Sequence, residues 1–342
     1  MAWPIELALV VFLAACTICF VLLLSLKPVL RRYALAKPNA RSSHKSPTPQ
    51  GGGIAVIAAT IATVGAAVVL YPTLFNDLWR LAVVLVAAIA LAAVGIADDI
   101  RPIGALPRLL LQAAAVATVL TSLPGDLHIF AVLSWWVERA LMFGALLWFV
   151  NLVNFMDGID WMTVAEIVPV TGSLALFGIS GALPPEATLI SVGLCGAMIG
   201  FAPLNRPIAR LFLGDVGSLP IGLLLGWLLL LLASRHHVAA AALLPLYYLA
   251  DATITLLRRL VNGEPLTQAH RSHFYQRALV GGSSVSQIVG RVFAVNIILA
   301  GFAAVTIFDN SPIVQITMLA AGCTLVGALL YTFNSAYRPD SR

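Results

Sequence analysis

The residues of this chain that could do chemistry are acidic and amide side chains placed at the ends of long apolar segments. The stretch NLVNFMDGID puts Asn154, Asp157 and Asp160 directly after LMFGALLWFV. Asn154 and Asp157 are three positions apart, so they lie on one face of a helix. A second cluster, GIADDIRP, contains the adjacent pair Asp98 and Asp99. Neighbouring carboxylates repel, and each raises the pKa of the other unless a cation lies close by.

The remaining polar clusters suggest what that cation and its partner are. Mg²⁺ binds oxygen ligands and is commonly held by one or two carboxylates together with substrate phosphates. Asp215 in LFLGDVGSLPIG is a further candidate, with a helix N-cap as its structural alternative. The segment AHRSHFYQR carries His270, Arg271, His273 and Arg277, whose donor groups suit phosphate oxygens. The pattern predicts a metal site that binds a pyrophosphate-bearing substrate.

These clusters are set in a chain of 342 residues that is 60% hydrophobic and only 10% charged. Soluble proteins carry about 25% charged residues, so the composition predicts an integral membrane protein. Apolar runs of about 17–25 residues indicate membrane-spanning helices. Eleven are predicted, at about 5–26, 53–71, 80–97, 108–122, 139–155, 163–180, 188–204, 216–234, 238–257, 291–308 and 313–334. The predicted fold is therefore a single all-α polytopic membrane domain spanning residues 1–342.

The basic residues predict how this domain is oriented. With the N-terminus outside and the C-terminus in the cytoplasm, all of the 20 Lys and Arg except Arg80, Arg139 and Arg235 lie on the cytoplasmic side. Such an excess of positive charge inside is the rule for membrane proteins, and it explains the net charge of +5 without nucleic-acid binding. The predicted cytoplasmic loops are 27–52, 98–107, 156–162, 205–215 and 258–290. Every polar cluster falls on this side, so the site is predicted to face the cytoplasm.

The motifs, taken in order, resemble those of a known family. They run from KSPTPQGGG to AHRSHFYQR and include DD, N-x-x-D-G-x-D, F-x-G-D-x-G-S-L and P-L-x-x-x-x-D followed by R-R. The chain resembles the polyprenyl-phosphate N-acetylhexosamine-1-phosphate transferases, glycosyltransferase family 4, of bacterial inner membranes. The resemblance implies transfer of a sugar-1-phosphate from a UDP-N-acetylhexosamine to undecaprenyl phosphate, with release of UMP. It also implies Mg²⁺, with Mn²⁺ as an alternative ion, and it is compatible with a homodimer.

The resemblance also implies roles for individual residues. Asp98 would receive a proton from the lipid phosphate or orient that phosphate, and Lys45 would hold phosphate. The implied catalytic residues are Asp98, Asp99, Asp157 and His270; the implied substrate-binding residues are Lys45, Asn154, Asp160, Arg271 and His273; and the implied metal ligands are Asp215, Asp157 and Asp99.

The chain departs from parts of the family in two places. It reads HFYQ from His273 where the peptidoglycan translocase has three histidines, which favours the subgroup that initiates O-antigen or similar polysaccharides. Trp161 replaces the glycine usual after D-G-x-D, which leaves both UDP-GlcNAc and deoxy derivatives open as donors. A secondary transporter is the main alternative, but it would place acids near the membrane midplane and show repeat symmetry. Here Asp251 is the main acid away from the cytoplasmic face.

Overall fold

The computed structural model describes residues 4–36, 47–125, 127–130, 132–265 and 271–336, and it is almost entirely helical. The helices in this part of the chain are α1 (Ile5–Tyr33), α2 (Gly53–Leu70), α3 (Leu78–Ile100), α4 (Ala105–Thr121), α5 (Trp135–Met156), α6 (Met162–Ile179), α7 (Pro185–Asn205), α8 (Asp215–Ser234), α9 (Val238–Leu243), α10 (Leu246–Val261), α11 (Phe274–Val280), α12 (Val285–Phe308) and α13 (Pro312–Ala336). Two short antiparallel strands, β1 (Leu35–Ala36) and β2 (Thr48–Pro49), lie between α1 and α2.

The helices confirm the predicted class of a polytopic all-α membrane protein. Among the described residues, nine helices are long and apolar enough to cross a membrane, namely α1, α2, α3, α5, α6, α7, α8, α12 and α13. Each of them overlaps one of the predicted spans. Helix α4 overlaps the predicted span 108–122. With 17 residues it is shorter than the nine membrane-spanning candidates. The total number of spans and the side on which each terminus lies stay predictions.

The predicted span 238–257 is wrong as a continuous helix. The chain forms α9 up to Leu243 and starts α10 at Leu246, with a break at Leu244 and Pro245. Proline has no backbone N–H, and its ring collides with the carbonyl one turn earlier, so it interrupts a helix. Hydropathy alone does not detect this break, because both halves are apolar.

Two of the predicted cytoplasmic loops are shorter than expected. Helix α1 continues through Lys27 and Pro28 as far as Tyr33 before the chain leaves the helix. The predicted loop 258–290 contains the last turn of α10, the whole of α11 and the start of α12. A window of apolar residues marks where a helix crosses the membrane, and it does not mark where the helix ends.

Helix α8 is the central element of the fold. Its sequence, LLLGWLLLLL in the middle, is apolar on all sides, and nearly all of its side chains are buried. A helix with this pattern belongs in the interior of a bundle. It packs against α3, α5 and α2, so its first residue, Asp215, is fixed by three neighbouring helices.

Glycines allow the N-terminal end of α8 to approach its neighbours at backbone distance. A Cβ atom on Gly95 of α3 would collide with the backbone of Asp215 and Val216. A Cβ atom on Gly53 of α2 would meet the backbone of Gly217 in the same way. Both contacts bring the ends of α2 and α3 against the start of α8.

The segment before α2 is joined to the segment before α8 by backbone hydrogen bonds. Phe212 N–H donates to the carbonyl of Pro49 at 2.9 Å, and Gly52 N–H donates to the carbonyl of Phe212 at 2.9 Å. Gly53 N–H donates to the carbonyl of Leu213 at 2.8 Å. The T-P-Q-G-G-G motif and the F-L-G-D motif are therefore one structural unit, although more than 150 residues separate them.

Substitution of Gly95 tests whether this close packing supports the fold. Gly95→Ala should destabilise the protein by about 1–3 kcal/mol, the usual cost of overpacking. Gly65→Ala in α2 is the matched control, because a Cβ atom there meets nothing within 4 Å. Alanine is favoured over glycine inside a helix by roughly 1 kcal/mol, so the control should be neutral or stabilised. Thermal unfolding in detergent measures both; equal effects would contradict the packing argument.

Candidate active site

Four of the acidic positions predicted from the sequence meet at one end of the helix bundle. Asp98 and Asp99 lie at the C-terminal end of α3, Asp157 follows α5, and Asp215 begins α8. They come from three separate parts of the chain, and the packing of α3, α5 and α8 brings them together.

Asp99 closes the N-terminal end of α8 from outside that helix. One carboxylate oxygen accepts the N–H of Asp215 at 3.0 Å, and the other accepts the N–H of Val216 at 3.2 Å. The first N–H groups of a helix have no partner within the helix, and its N-terminus carries partial positive charge. Asp99 accepts hydrogen bonds from two of these N–H groups, and its negative charge faces the positive end of the helix dipole. It therefore acts as an N-cap of α8 that is supplied by α3.

Arg108 connects the other member of the aspartate pair to Asp215. Its Nη1 atom lies 3.0 Å from Asp98 Oδ2 and 3.4 Å from Asp215 Oδ2. Asp98 Oδ1 also accepts the N–H of Ile103 at 2.5 Å. A cation in the first turn of a helix opposes the helix dipole, so Arg108 is poorly placed for the stability of α4. Its position is explained by the two carboxylates that it neutralises.

Asn154 holds the second oxygen of Asp215. Its Nδ2 atom donates to Asp215 Oδ1 at 2.8 Å and lies 2.9 Å from Ser218 Oγ. The Asp215 side chain is nevertheless 25% exposed, so a ligand can reach it. The sequence predicted that Asn154 lines the nucleotide site; the structure places it beside the carboxylate predicted to bind the metal.

Asp157 lies just beyond the end of α5 and accepts a hydrogen bond from the hydroxyl of Thr163. Burial raises the pKa of the Asp157 carboxyl to about 6, the Thr163 hydrogen bond opposes the rise, and the charges of Asp99 and Asp160 add to it. The charge of Asp157 therefore belongs to the same electrostatic site as the charge of Asp99. A cation at this site would lower the pKa again.

Asp160 is buried and faces the segment between α7 and α8. Its Oδ2 atom accepts the N–H of Ala209 at 2.9 Å. This bond anchors the loop that leads to Gly214 and Asp215. The predicted contact of Asp160 with the nucleotide stays a prediction.

Trp161 adopts the left-handed backbone conformation, with φ of 61°, immediately before α6. Its N–H donates to Asn205 Oδ1 at 2.8 Å, and its indole Nε1 donates to the carbonyl of Ala202 at 2.7 Å. The indole is therefore held against the C-terminal end of α7. The left-handed conformation is costly for bulky residues and easy for glycine, which gives a physical reason for a glycine at this position in other sequences.

The segment HRSHFYQR is anchored by Asp251 of α10, which is fully buried. Asp251 accepts the N–H groups of Phe274 and Tyr275 at 3.1 and 3.2 Å and lies 3.1 Å from Nδ1 of His273. The Tyr275 hydroxyl reaches the carbonyl of Phe155 at 3.3 Å, beside the N-x-x-D-G-x-D motif. Asp251, the main acid away from the predicted cytoplasmic face, therefore supports the start of α11.

The predicted site residues differ in how far the structure describes them. Lys45 and His270 lie outside the described residues. Arg271 is exposed at the start of the described part of its segment, whereas His273 is buried against Asp251. Among the described residues, no three His, Cys, Asp or Glu side chains form a complete metal cage.

The sequence analysis missed two residues of the site. Arg108 was counted only as one of the cytoplasmic basic residues. Gln50, whose Nε2 atom donates to the backbone carbonyl of Asp99 at 2.7 Å, was not singled out. The signal for Arg108 was its position in the first turn of an apolar helix, where a cation is unfavourable.

Comparison with known proteins decides the family. The model described as "Glycosyl transferase family 4" matches residues 81–233, which contain all the acidic residues of the site from Asp98 to Asp215. The chain is 26% identical to the "Probable undecaprenyl-phosphate N-acetylglucosaminyl 1-phosphate transferase" of Bacillus subtilis, over 82% of this chain and 83% of that protein. These findings place residues 81–233 of the chain in glycosyl transferase family 4.

Two further relatives show similar agreement. A "Decaprenyl-phosphate N-acetylglucosaminephosphotransferase" of Mycobacterium leprae is 28% identical over 88% of this chain and 82% of that protein. A "Phospho-N-acetylmuramoyl-pentapeptide-transferase" of Limosilactobacillus reuteri is 29% identical over 59% of this chain and 69% of that protein. The alignments with the B. subtilis and M. leprae proteins extend well beyond residues 81–233 and cover most of this chain.

Two aspartate substitutions should separate the helix cap from the exposed carboxylate. Asp99→Asn should destabilise the protein by about 1–2 kcal/mol, because an amide offers one acceptor to two N–H groups and carries no charge. Asp215→Asn should leave stability unchanged or raised, because it removes a charge crowded by Asp98 and Asp99. Thermal unfolding without substrate measures both, and an unaffected Asp99→Asn protein would disprove the capping role.

Trp161 offers a test of backbone strain. Trp161→Ala and Trp161→Gly both lose the indole hydrogen bond to Ala202, but only the glycine variant relieves the left-handed conformation. The alanine variant should therefore be less stable than the glycine variant, by about 1 kcal/mol. A comparison of their apparent melting temperatures in detergent checks this; equal values would show that the strain is absent.

Proposed function

We propose that the protein transfers an N-acetylhexosamine-1-phosphate from a UDP-sugar to undecaprenyl phosphate. An oxygen of the lipid phosphate attacks the β-phosphorus of the UDP-sugar. The bond between that phosphorus and the oxygen bridging to the α-phosphate breaks, and UMP leaves with the bridging oxygen. The product is a sugar linked to the lipid through a pyrophosphate.

The observation that carries this proposal is the Asp98–Arg108–Asp215 arrangement. Phosphoryl transfer needs little covalent help from the protein, and catalysis consists mainly of positioning and charge neutralisation. An arginine that contacts two carboxylates can move to phosphate oxygens when a cation takes its place between them. Arg108 at 3.0 and 3.4 Å from Asp98 and Asp215 is in that position.

The carboxylates fit Mg²⁺ as the metal ion. Their oxygens are the donors that Mg²⁺ prefers, and Mg²⁺ is commonly held by one or two carboxylates together with substrate phosphates. Asp215 would be the principal ligand, with Asp157 and Asp99 as the other candidates. The two N–H bonds to Asp99 leave it one lone pair on each oxygen. When bound, the ion would neutralise the charge of the reacting phosphates.

The protein's own groups have separate tasks in this reaction. Asn154 fixes the orientation of Asp215 by its hydrogen bond of 2.8 Å. A phosphate monoester has a second pKa of about 6, so the lipid phosphate is largely ionised at neutral pH and needs no strong base. Asp98 would orient this phosphate or take its remaining proton. Arg271, at the exposed start of its segment, and His270 and Lys45 would bind the phosphates of the nucleotide.

The names of the relatives support GlcNAc as the sugar. The B. subtilis and M. leprae proteins are both named as N-acetylglucosamine phosphate transferases. The sequence HFYQ at residues 273–276 supports initiation of O-antigen or a similar surface polysaccharide. A deoxy-N-acetylhexosamine is the alternative donor. The excess of basic residues on one side supports a site facing the cytoplasm of a bacterial inner membrane, where nucleotide sugars are made.

A UMP-release assay tests the reaction. Purified protein is supplied with undecaprenyl phosphate, Mg²⁺ and a panel of UDP-N-acetylhexosamines. Release should require the lipid phosphate, stop with EDTA, and fall at least about 100-fold in Asp215→Asn, the usual loss on removing one electrostatic contact to a transition state. Asp77→Asn, which lies at the far end of α3 and retains an N-capping side chain, is the control and should match the wild type.

The outcomes of this assay are distinct. Lipid-dependent UMP release would establish the transferase and identify its sugar. Release that survives in Asp215→Asn would show that this carboxylate is not needed. If folded protein neither releases UMP nor binds any UDP-sugar, the enzyme proposal fails and transport becomes the better hypothesis.

A further inference from the structure

A cavity lies beside the segment that precedes α11, and none of the four aspartates of the candidate active site lines it. Its volume is about 560 Å³, within the usual range for a small-molecule site, and it is formed by α10, α11 and α13. Its polar lining includes Arg258, Arg277 and Asn334, and its apolar lining consists of Ile254, Leu257 and Val261.

Arg258 supplies an uncompensated positive charge to this cavity. It lies in the last turn of α10, and its guanidinium is 4.5 Å from the centre of the Phe274 ring. No carboxylate in the described part of the chain forms an ion pair with it. Its neighbour Arg259 behaves differently, because that side chain is buried and bonds to Glu264 at 3.0 Å.

Arg277 faces the same cavity from α11. Its Nε atom donates to the carbonyl of Ser272 at 3.1 Å, and its Nη1 atom donates to Asn334 Oδ1 at 3.0 Å. Arg277 therefore joins the segment HRSH to the C-terminal end of α13. Its guanidinium adds a second positive charge to the cavity.

The apolar wall of the cavity is open to the outside of the bundle. Leu257 is 54% exposed and Val261 is 85% exposed, and both lie close to the exposed Arg258 on α10. Exposed apolar side chains beside two arginines match a ligand that has both a hydrocarbon chain and an anionic group.

We propose that this cavity binds an anionic phospholipid, with the phosphate at Arg258 and Arg277 and an acyl chain along Leu257 and Val261. Basic pockets between membrane helices are known to hold anionic headgroups, and arginine pairs well with phosphate oxygens. A zwitterionic lipid fits less well, because its own cation would lie beside the arginines. The carboxylate site is not part of this cavity.

The position of the cavity gives the lipid an effect on the neighbouring segment. Arg258 lies over Phe274, the first residue of α11, and Arg277 is bonded to Ser272. A phosphate that bridges the two arginines would fix α11 to α10 and so stabilise Ser272 and His273, which directly precede α11. Any effect on turnover depends on the proposed function, whereas the binding of the lipid does not.

The test measures lipid binding directly. Delipidated protein in detergent is titrated with dioctanoyl phosphatidylglycerol or dioctanoyl phosphatidylcholine, and bound lipid is counted by native mass spectrometry. The wild type should bind the anionic lipid at least about tenfold more tightly. Arg258→Gln should lose about tenfold in affinity for it, the effect of one charge-assisted hydrogen bond. Arg277 is a poor choice for substitution, because its loss would also release Ser272 and Asn334.

The control is Arg291→Gln, which removes an exposed arginine of α12 that does not line the cavity. It should bind phosphatidylglycerol like the wild type. Equal affinity for the two lipids, or equal loss in both variants, would overturn the proposal. Binding of undecaprenyl phosphate that depends on Arg258, without similar binding of phosphatidylglycerol, would assign the cavity to the acceptor and would also overturn it. UMP release by the same preparations shows separately whether the transferase is active.

Discussion

The carboxylate of Asp99 on the first N–H groups of α8 is the contact on which the rest of the site depends. It joins the C-terminal end of one membrane helix to the N-terminal end of another, where both helices have unpaired backbone groups. Without it, Asp215 would begin a helix whose donors face a partly apolar environment, at a cost of a few kcal/mol for each unsatisfied group. Because α8 is buried on all sides, its position then determines the geometry of Asp98, Arg108 and Asn154 around Asp215.

The carboxylates of Asp98, Asp99 and Asp215 bring several negative charges together. Close packing of the helices positions these groups, and a nearby arginine offsets part of their charge. Gly95 and Gly53 let α3 and α2 come within backbone distance of the start of α8, which no residue with a Cβ atom would permit. Arg108 offsets the charges of Asp98 and Asp215, although its place in the first turn of α4 is unfavourable for that helix. A local rule broken in this way is typical of a functional site.

Much of this arrangement could be predicted from the sequence, and the rest could not for identifiable reasons. Hydropathy located the membrane helices and placed the aspartates at one face, because burial in lipid requires long apolar runs. It could not show the break at Pro245, which divides one apolar run. Nor could it distinguish Arg108 from any other cytoplasmic arginine, since only the fold brings it to Asp98. The hydrogen bonds between Asp251 and the start of α11 are donated by backbone N–H groups. Every residue except proline has such a group, so the sequence does not predict which ones bond to Asp251.

The carboxylates lie at the ends of helices α3, α5 and α8, and this has a consequence for kinetics. For the proposed reaction, one substrate diffuses in three dimensions through water and the other in two dimensions within the bilayer. The rate should then follow the mole fraction of polyprenyl phosphate in the membrane, and dilution with inert lipid should slow the enzyme even at constant total acceptor. The dependence of the rate on the nucleotide sugar, in contrast, should follow the molar concentration of that sugar in water. An enzyme of this kind would therefore respond to membrane composition and to the concentration of the nucleotide sugar as independent variables.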